Sequence, residues 1–258
     1  MNDAGHRRIT RRTFGFAATS ALAALAVGDA CAAPGNQPLA GDGRLSARAR
    51  ADAATSLKSG ALGLGSERDG VIQMPGAPAR GPLPLLVFLH GATQSGEGML
   101  RRIGPAADRA GVVVVAPDSR GTTWDAVRGG FGEDVAFLDR TLTHVFTHLE
   151  VDPARMAIGG FSDGASYALS LGLGNGDLFP RVVACSPGFV ISAAPHGHPR
   201  FFISHGTSDQ ILPIDRCSRV IVPRLRSMGY DVTFREFDGR HEVPPDVANE
   251  ATRWLAAG

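Results

Sequence analysis

The chain carries little net charge, and no apolar run in it is long enough to span a bilayer comfortably. Its 258 residues include 26 Lys and Arg and 25 Asp and Glu, which leaves a formal charge of +1. A nearly neutral surface gives no reason to expect nucleic acid or a membrane as a stable partner. No internal repeat is present, and 43% hydrophobic residues with 20% charged residues fit one globular domain with a sizeable core.

Residue patterns typical of metal sites are also missing. His196 and His198 form an H-x-H pair in a loop that contains proline and glycine, without an evident third ligand. His144 and His148 lie four residues apart on a predicted helix, but the Glu of an H-E-x-x-H site is absent. We therefore predict that the protein needs neither a metal nor another cofactor.

The first 32 residues have the pattern of an export signal. A basic start precedes an apolar stretch of small residues, and Ala30-Cys31-Ala32 is an A-x-A-like cleavage site. Arg11-Arg12-Thr13-Phe14 resembles a twin-arginine signal. An ordinary secretory signal and lipidation at Cys31 are the alternatives. Each of these readings predicts an exported protein, and we expect it in the periplasm or secreted.

Few cysteines are present, and only Cys185 and Cys217 would remain after removal of residues 1–32. Cys185 ends a predicted strand, and Cys217 lies in the first turn of the helix after the neighbouring strand. In an oxidising compartment the two could form a disulfide. The alternative is two separate buried thiols.

Two regions follow the signal. Residues 33–60 are rich in Ala, Gly, Arg and Ser and have no clear period, so they are interpreted as a leader segment. From residue 61 to 258, apolar strand-like runs alternate with helical patterns, after a hairpin whose turn lies near Arg68-Asp69-Gly70. Near-continuous apolar strands predict an α/β domain with a mostly parallel sheet covered on both faces. No segment between the strands is long enough for a large cap domain.

The stretch Gly160-Phe161-Ser162-Asp163-Gly164 lies between a predicted strand and a predicted helix. It matches G-x-S-x-G, in which a serine occupies a strained, very tight turn and glycine is required on both sides. Such a turn exposes the hydroxyl beside a helix N-terminus, where negative charge is favoured. Ser162 is therefore a candidate nucleophile.

Two further polar residues follow later strands of the predicted sheet. Asp209 follows the run RFFISHG, and His241 follows DVTFREFDG. Functional groups gather at the carboxyl ends of strands in open α/β sheets. The order Ser162, Asp209, His241 is that of an acyl-transfer triad on this kind of sheet.

The turn after the strand LPLLVFL supplies candidate oxyanion-hole donors. The backbone N–H of Ala92, rather than that of Thr93, would act together with the N–H of Asp163. His90, which begins this turn, is interpreted as a structural residue that holds the loop.

Several stretches together resemble α/β-hydrolases of the polyhydroxybutyrate-depolymerase-like and phospholipase/carboxylesterase-like esterases. They are LVFLHGATQ, GEDVAFLDRTL, VDPARMAIGGFSDGASYALSLGL, SPGF, HGTSDQILPIDRCSR and FREFDGRHEVPP, and they cover residues from about 83 onwards. The resemblance implies an α/β-hydrolase fold with Ser162 as nucleophile, His241 as base and Asp209 as its partner. It also implies Ala92 and Asp163 as oxyanion donors.

Three features depart from the depolymerase-like pattern. Many such members have Cys where this chain has Ala92, and many have Ala where it has Asp163. No polymer-binding module is evident, so the resemblance implies ester hydrolysis but leaves open whether the ester is a polymer or a small molecule.

The expected activity is therefore hydrolysis of small carboxylic esters through an acyl-enzyme. The alternatives are a serine exopeptidase or amidase, which needs a pocket carboxylate such as Glu133 or Asp134, and a non-catalytic binding protein on the same scaffold. A modest pocket for short or aromatic acyl groups is expected from the loop residues. The candidate substrate-binding residues are Thr93, Gln94, Trp124, Phe131, Phe189, Ile211 and Leu212.

Overall fold

The computed structural model describes residue 1 and residues 41–51, 53, 56–77, 81–191 and 194–257. The predicted export signal lies outside the described residues, apart from residue 1. The strands are β1 (Gly60–Ala61), β2 (Gly70–Gln73), β3 (Leu83–Leu89), β4 (Val113–Pro117), β5 (Val151–Phe161), β6 (Arg181–Cys185), β7 (Arg200–Gly206) and β8 (Val232–Phe237). The helices are α1 (Gly96–Arg109), α2 (Asp125–Arg128), α3 (Glu133–His148), α4 (Asp163–Gly174), α5 (Ser218–Ser227) and α6 (Pro245–Ala256).

All eight strands belong to one sheet, in the order β1-β2-β4-β3-β5-β6-β7-β8. The β1–β2 and β2–β4 pairs are antiparallel, and the six strands from β4 to β8 in this order are mutually parallel. The predicted hairpin is confirmed, because Ala61 pairs with Val71 across the connection. The prediction of a mostly parallel sheet is confirmed as well.

The sheet is covered on both faces, and its strand β3 is apolar and buried at every position. In β3, Leu85, Val87 and Leu89 face the core formed with α3, α4 and α5. Leu86 and Phe88 face the opposite core, formed with α1 and α6. This alternation follows from the two-residue period of a strand.

Part of the predicted leader segment packs on this domain. Leu45 is only 2% exposed and belongs to the core beneath α4. Its backbone N–H donates to Asn175 Oδ1 at 2.8 Å, and Arg44 forms an ion pair with Asp177 at 2.8 Å. Residues 41–51 therefore contribute to the folded structure before the first strand begins.

The predicted disulfide between Cys185 and Cys217 is wrong, since Cys185 is a free thiol. The Cys185 side chain belongs to the core shared with α1 and α6, whereas α5, which Cys217 precedes, packs on the other face. The sheet itself separates them. Burial raises the pKa of the Cys185 thiol to about 11, although a hydrogen bond with Ser204 opposes this shift.

The described part of the chain contains no separate cap domain above the carboxyl ends of the strands. Within the same residues, no helix combines the length and apolar character that a membrane crossing requires. Among the described residues, loops and the start of α4 follow the carboxyl ends of β3, β5, β7 and β8.

Candidate active site

Ser162 lies at the turn from β5 into α4, with φ 57° and ψ −122°. Its backbone N–H donates to the carbonyl of Cys185 at 3.0 Å, which ties the turn to β6. A Cβ at residue 160 would collide with the backbone of residue 164, and one at residue 164 would collide with the carbonyl oxygens of Leu89 and His90. Both positions require glycine, as the G-x-S-x-G pattern predicts.

The structure brings Ser162, Asp209 and His241 together. His241 Nε2 lies 2.8 Å from Ser162 Oγ, and His241 Nδ1 lies 2.6 Å from Asp209 Oδ2. A carboxylate accepts only, so Nδ1 carries the proton and Nε2 accepts from the Ser162 hydroxyl. The histidine is therefore oriented to take a proton from the serine.

Asp209 is held as a carboxylate by its hydrogen bonds. Burial raises its pKa, but hydrogen bonds from His205, His241 and the Leu212 N–H outweigh burial and hold the pKa below the usual range of an aspartate. The other oxygen, Oδ1, accepts from the N–H groups of Ile211 at 2.9 Å and Leu212 at 2.8 Å. A charged partner for a protonated His241 is thus available at neutral pH.

Two backbone N–H groups near Ser162 are without a hydrogen bond to the residues that the structure describes. Thr93 (φ 60°) donates its N–H to the Thr122 carbonyl at 2.7 Å, which leaves the Ala92 N–H as the unused amide of that turn. Asp163 is the first residue of α4, so its N–H has no partner within the helix. Ala92 and Asp163 remain the candidate oxyanion donors, and Thr93 does not.

His90 holds the loop that carries Ala92. Its Nδ1–H donates to the Gly91 carbonyl at 2.7 Å, and its Nε2 accepts from the Ser119 N–H at 2.9 Å. Burial lowers the pKa of His90, although the hydrogen bond to Gly91 opposes that shift. With both nitrogens engaged in the neutral ring, His90 has a structural role, as expected.

Trp124 is fully buried, and Phe131 lines a cavity with Gly43 and Asp139 that contains none of the triad residues, so their prediction as substrate-binding residues beside Ser162 is wrong. Trp124 is 0% exposed and Phe131 is 1% exposed. The Trp124 indole stacks on Tyr167, and its Nε1–H donates to the His90 carbonyl at 2.8 Å. The short helix α2, which the sequence does not predict, turns this segment inward against α4.

The other predicted pocket residues, Gln94, Phe189, Ile211 and Leu212, belong to loops that follow the strands near Ser162 and Asp209. A Cβ added at Gly91 would lie 3.2 Å from Ser162 Cβ and 3.5 Å from Gln94 Nε2, so both side chains adjoin residue 91. Ile211 is 64% exposed two residues after Asp209. Phe189 is half-buried and Leu212 is mostly buried.

The loop that carries Phe189 is attached to α4. The hydroxyl of Ser166 accepts from the Gly188 N–H at 2.9 Å, and the hydroxyl of Ser170 accepts from the Ile191 N–H at 2.9 Å. This attachment sets the position of the loop next to α4.

The two carboxylates proposed for an amine-binding pocket are placed differently from each other. Asp134 is buried and accepts from the N–H groups of Arg120 at 2.6 Å and Asp125 at 2.7 Å, so it is engaged in loop structure. Burial raises the pKa of Asp134 despite these two bonds. Glu133 is exposed at the start of α3. Asp134 therefore offers no free carboxylate to a substrate amine.

Sequence patterns did not indicate two contacts at this site. The Asp163 carboxylate accepts from the Thr123 hydroxyl at 2.7 Å, which ties the β4–α2 connection to the turn at Ser162. His205 Nε2 lies 3.2 Å from Asp209 Oδ2. Only the position of His205 at the end of β7, four residues before Asp209, could have suggested the second contact. Among the described residues, no group of three or more His, Cys, Asp or Glu could hold a metal ion.

The parallel sheet, the strand–serine–helix turn and the loop positions of Asp209 and His241 define the α/β-hydrolase class. A model of the phospholipase/carboxylesterase family matches residues 127–257, half of the chain. The chain belongs to this family.

Two curated fungal relatives resemble part of the chain. "Probable feruloyl esterase C" of Aspergillus clavatus is 35% identical over 105 residues, which are 40% of this chain and 37% of the relative. "Feruloyl esterase C" of Emericella nidulans is 30% identical over 111 residues, which are 43% of this chain and 40% of the relative. The chain thus matches well under half the length of these relatives.

Solved structures share the fold at low sequence identity. A crystal structure of esterase PE8 has a TM-score of 0.60 and 21% identity, over 77% of this chain and 98% of that one. A truncated carbohydrate esterase from gut microbiota has a TM-score of 0.62 and 16% identity, over 81% of this chain and 98% of that one.

Proposed function

We propose that the protein is a serine esterase that hydrolyses carboxylic esters of small molecules. The observation that carries the proposal is the chain of contacts from Ser162 Oγ to His241 Nε2 at 2.8 Å and from His241 Nδ1 to Asp209 Oδ2 at 2.6 Å. Membership of the phospholipase/carboxylesterase family supports the same chemistry.

Acylation begins when Ser162 Oγ attacks the ester carbonyl carbon and His241 Nε2 takes the hydroxyl proton. The N–H groups of Ala92 and Asp163 stabilise the negative oxygen of the tetrahedral intermediate, each at a level of about 3 kcal/mol. The ionised Asp209 balances the positive charge on His241. His241 then gives its proton to the leaving alcohol, and the acyl group remains on Ser162.

Deacylation repeats these steps with water. His241 takes a proton from a water molecule, whose oxygen attacks the acyl carbon. The intermediate collapses when Ser162 Oγ leaves and regains its proton from His241. The acid is released and the enzyme returns to its starting state, so no cofactor enters the reaction.

The proposed substrates are esters of short or aromatic acids. Both curated relatives named above are called feruloyl esterases, and ferulate is an aromatic acid. Ile211 and Phe189 are apolar and accessible on loops near the triad. We further propose that the protein acts in the periplasm or outside the cell after export through the twin-arginine route, since residues 1–32 have that pattern.

The experiment that tests the activity replaces Ser162 with alanine. Ser162→Ala should lower kcat for p-nitrophenyl acetate by about 10⁶-fold and remove labelling by a fluorophosphonate probe. The thermal unfolding midpoint should change little, because only one hydroxyl is removed. Ser227→Ala, at the exposed end of α5, serves as the control and should keep full activity. Retained hydrolysis or labelling in Ser162→Ala would reject the proposal.

A further inference from the structure

Asp209 has a second histidine beside it, which contacts the same carboxylate oxygen as His241. His205 is the sixth residue of β7 and is 0% exposed. Its Nε2 lies 3.2 Å from Asp209 Oδ2 and 2.7 Å from the Leu212 carbonyl oxygen. Its Nδ1 lies 2.7 Å from the hydroxyl of Ser218, the first residue of α5.

The partners of His205 determine where its proton is. Both groups near Nε2, the Leu212 carbonyl and the Asp209 carboxylate, can only accept a hydrogen bond. Nε2 therefore carries the proton, and in the neutral ring Nδ1 accepts from the Ser218 hydroxyl. The Leu212 carbonyl and the Asp209 carboxylate thus set the tautomer, and the Ser218 hydroxyl at the start of α5 holds the other side of the ring.

With His205 in place, every hydrogen-bonding direction of the Asp209 carboxylate is used. Oδ1 accepts from the N–H groups of Ile211 and Leu212, Oδ2 accepts from His241, and the His205 Nε2–H, whose shorter bond goes to the Leu212 carbonyl, lies 3.2 Å from Oδ2. A carboxylate has about four such positions. Rotation of the carboxylate would break at least one of these bonds, so Oδ2 stays aimed at His241 Nδ1.

The same histidine also closes the turn after β7. Asp209 accepts from the Leu212 N–H, and His205 donates to the Leu212 carbonyl. Both bonds are buried, where hydrogen bonds are stronger than at the surface. Residue 212 is thereby fixed from two sides, and Asp209 with it.

We infer that His205, oriented by Ser218, is a positioning residue for Asp209 in the proposed ester hydrolysis. The inference rests on the proposed function of Ser162, Asp209 and His241. His205 exchanges no proton with the substrate. It holds the Asp209 carboxylate in the orientation that keeps His241 ready to accept the Ser162 proton.

Two substitutions separate this role from a general contribution to stability. In His205→Gln the side-chain amide can place an N–H near the position of Nε2, whereas in His205→Asn the shorter amide reaches only the position of Nδ1, near Ser218. His205→Asn should lower kcat by about tenfold to a hundredfold, as small misplacements in a triad do, with KM nearly unchanged. His205→Gln should recover most of the lost kcat. His198→Asn, at an exposed histidine, is the matched control and should behave as the wild type.

Ser218→Ala provides an independent test if His205→Asn does not fold. Removal of the hydroxyl leaves Nδ1 without its donor, so kcat should fall about fivefold at unchanged KM. The inference is overturned if folded His205→Asn keeps wild-type kcat, or if His205→Gln is no better than a folded His205→Asn. If His205→Asn does not fold, wild-type kcat in Ser218→Ala overturns it. Ser162→Ala, measured in parallel, distinguishes failure of the proposed function from failure of this inference. If Ser162→Ala is active, the proposed function is rejected. If Ser162→Ala is inactive while His205→Asn keeps wild-type kcat, only the role of His205 is rejected.

Discussion

The backbone around Ser162 is strained, and in the described part of the chain the other residues with a side chain and a positive φ lie close to it. Among the described residues, only Thr93, Ser162 and Ser186 combine a side chain with a positive φ, at 60°, 57° and 51°. Thr93 belongs to the turn with Ala92. Ser186 follows Cys185, whose carbonyl accepts the Ser162 N–H. Such conformations cost about 1–3 kcal/mol each and persist where the surrounding structure enforces them.

At the residue scale, this close packing predicts the effect of Gly164→Ala. The new methyl group would meet the carbonyl oxygens of Leu89 and His90, so α4 or the end of β3 must move. We expect a loss of about 1–3 kcal/mol in the free energy of unfolding, together with slower fluorophosphonate labelling because Ser162 is displaced. Chemical denaturation and labelling rates measure the two effects.

Gly98→Ala is the control for this substitution. Gly98 lies in the first turn of α1, and a Cβ there would be 3.6 Å from Ser95 Oγ, an ordinary contact. Alanine at a helical position that has room for it should be neutral or stabilising by about 0.5–1 kcal/mol. Equal stability of the two variants would contradict the proposed requirement at residue 164.

At the scale of elements, the segment 41–51 is attached to the end of α4 by charge as well as by burial of Leu45. Arg44 and Arg48 each lie 2.8 Å from a carboxylate oxygen of Asp177. The hydrogen bond from Arg44 lowers the pKa of Asp177 to about 2, although burial opposes this shift. The ionised Asp177 carboxylate is thus the form that stabilises attachment of residues 41–51 to α4.

Asp177→Asn should loosen this attachment in a pH-dependent way. The folded-state pKa lies below the ordinary value of about 3.9, so the contribution is full above that value and is lost as pH falls through about 2. Since the Asp177 side chain is 38% exposed, solvent screening limits the effect to about 0.5 kcal/mol. The difference in unfolding free energy between wild type and variant should therefore be present at pH 6 and shrink towards pH 2.

Trypsin gives a local measure of the same attachment, because it cleaves after arginine. Cleavage after Arg44 and Arg48 should be faster in Asp177→Asn than in the wild type. Asp231→Asn, which breaks the exposed ion pair of Arg200 elsewhere, should leave this cleavage unchanged. The same cleavage rate in both variants would argue against attachment through Asp177.

At the scale of the whole molecule, no large lid covers Ser162 within the described residues, and the accessible apolar side chains near the triad are few. Each methylene of a substrate that a pocket encloses contributes about 0.8 kcal/mol. We expect kcat/KM for p-nitrophenyl esters to rise over a few carbons from acetyl and then fall before palmitoyl, without activation above the micelle concentration. A feruloyl ester assayed alongside tests the aromatic acyl group.

Ile211→Ser should flatten this dependence on chain length if Ile211 contacts the acyl chain. Val220→Ser is its control, because Val220 is also exposed, at 56%, but lies on α5. A maximum at the longest chains would contradict the proposed preference for short acyl groups.

Export is a second prediction for the whole molecule. Arg11→Lys combined with Arg12→Lys should leave the protein in the cytoplasm, as measured by cell fractionation, because the twin-arginine pair is lost. Arg7→Lys combined with Arg8→Lys is the control. It also replaces two arginines with lysines but leaves Arg11 and Arg12 in place, so it should not affect export. Unchanged export of the first variant would favour an ordinary secretory signal.

Local sequence is enough to predict the order of the strands and of the longer helices, the turn at Ser162 and the loops that carry Asp209 and His241. Each of these depends on neighbouring residues: apolar runs form strands, and glycine at 160 and 164 permits a tight turn. Because the carboxyl ends of parallel strands meet at one edge of the sheet, residues 209 and 241 could also be predicted to approach residue 162.

Only the tertiary structure decided which face or neighbour each remaining side chain meets. Cys185 ends β6 and Cys217 follows the neighbouring β7, yet the Cys185 side chain lies on the face of the sheet opposite α5, because side chains alternate between the faces. Trp124 and Phe131 are apolar residues in a loop, and whether they line a pocket or fill the core depends on how α2 folds against α4. His205 becomes a partner of Asp209 only because α5 and the turn at Leu212 close around it. The residue type determines whether a side chain needs apolar or polar contacts. The packing of segments that are distant in sequence determines which atoms provide those contacts.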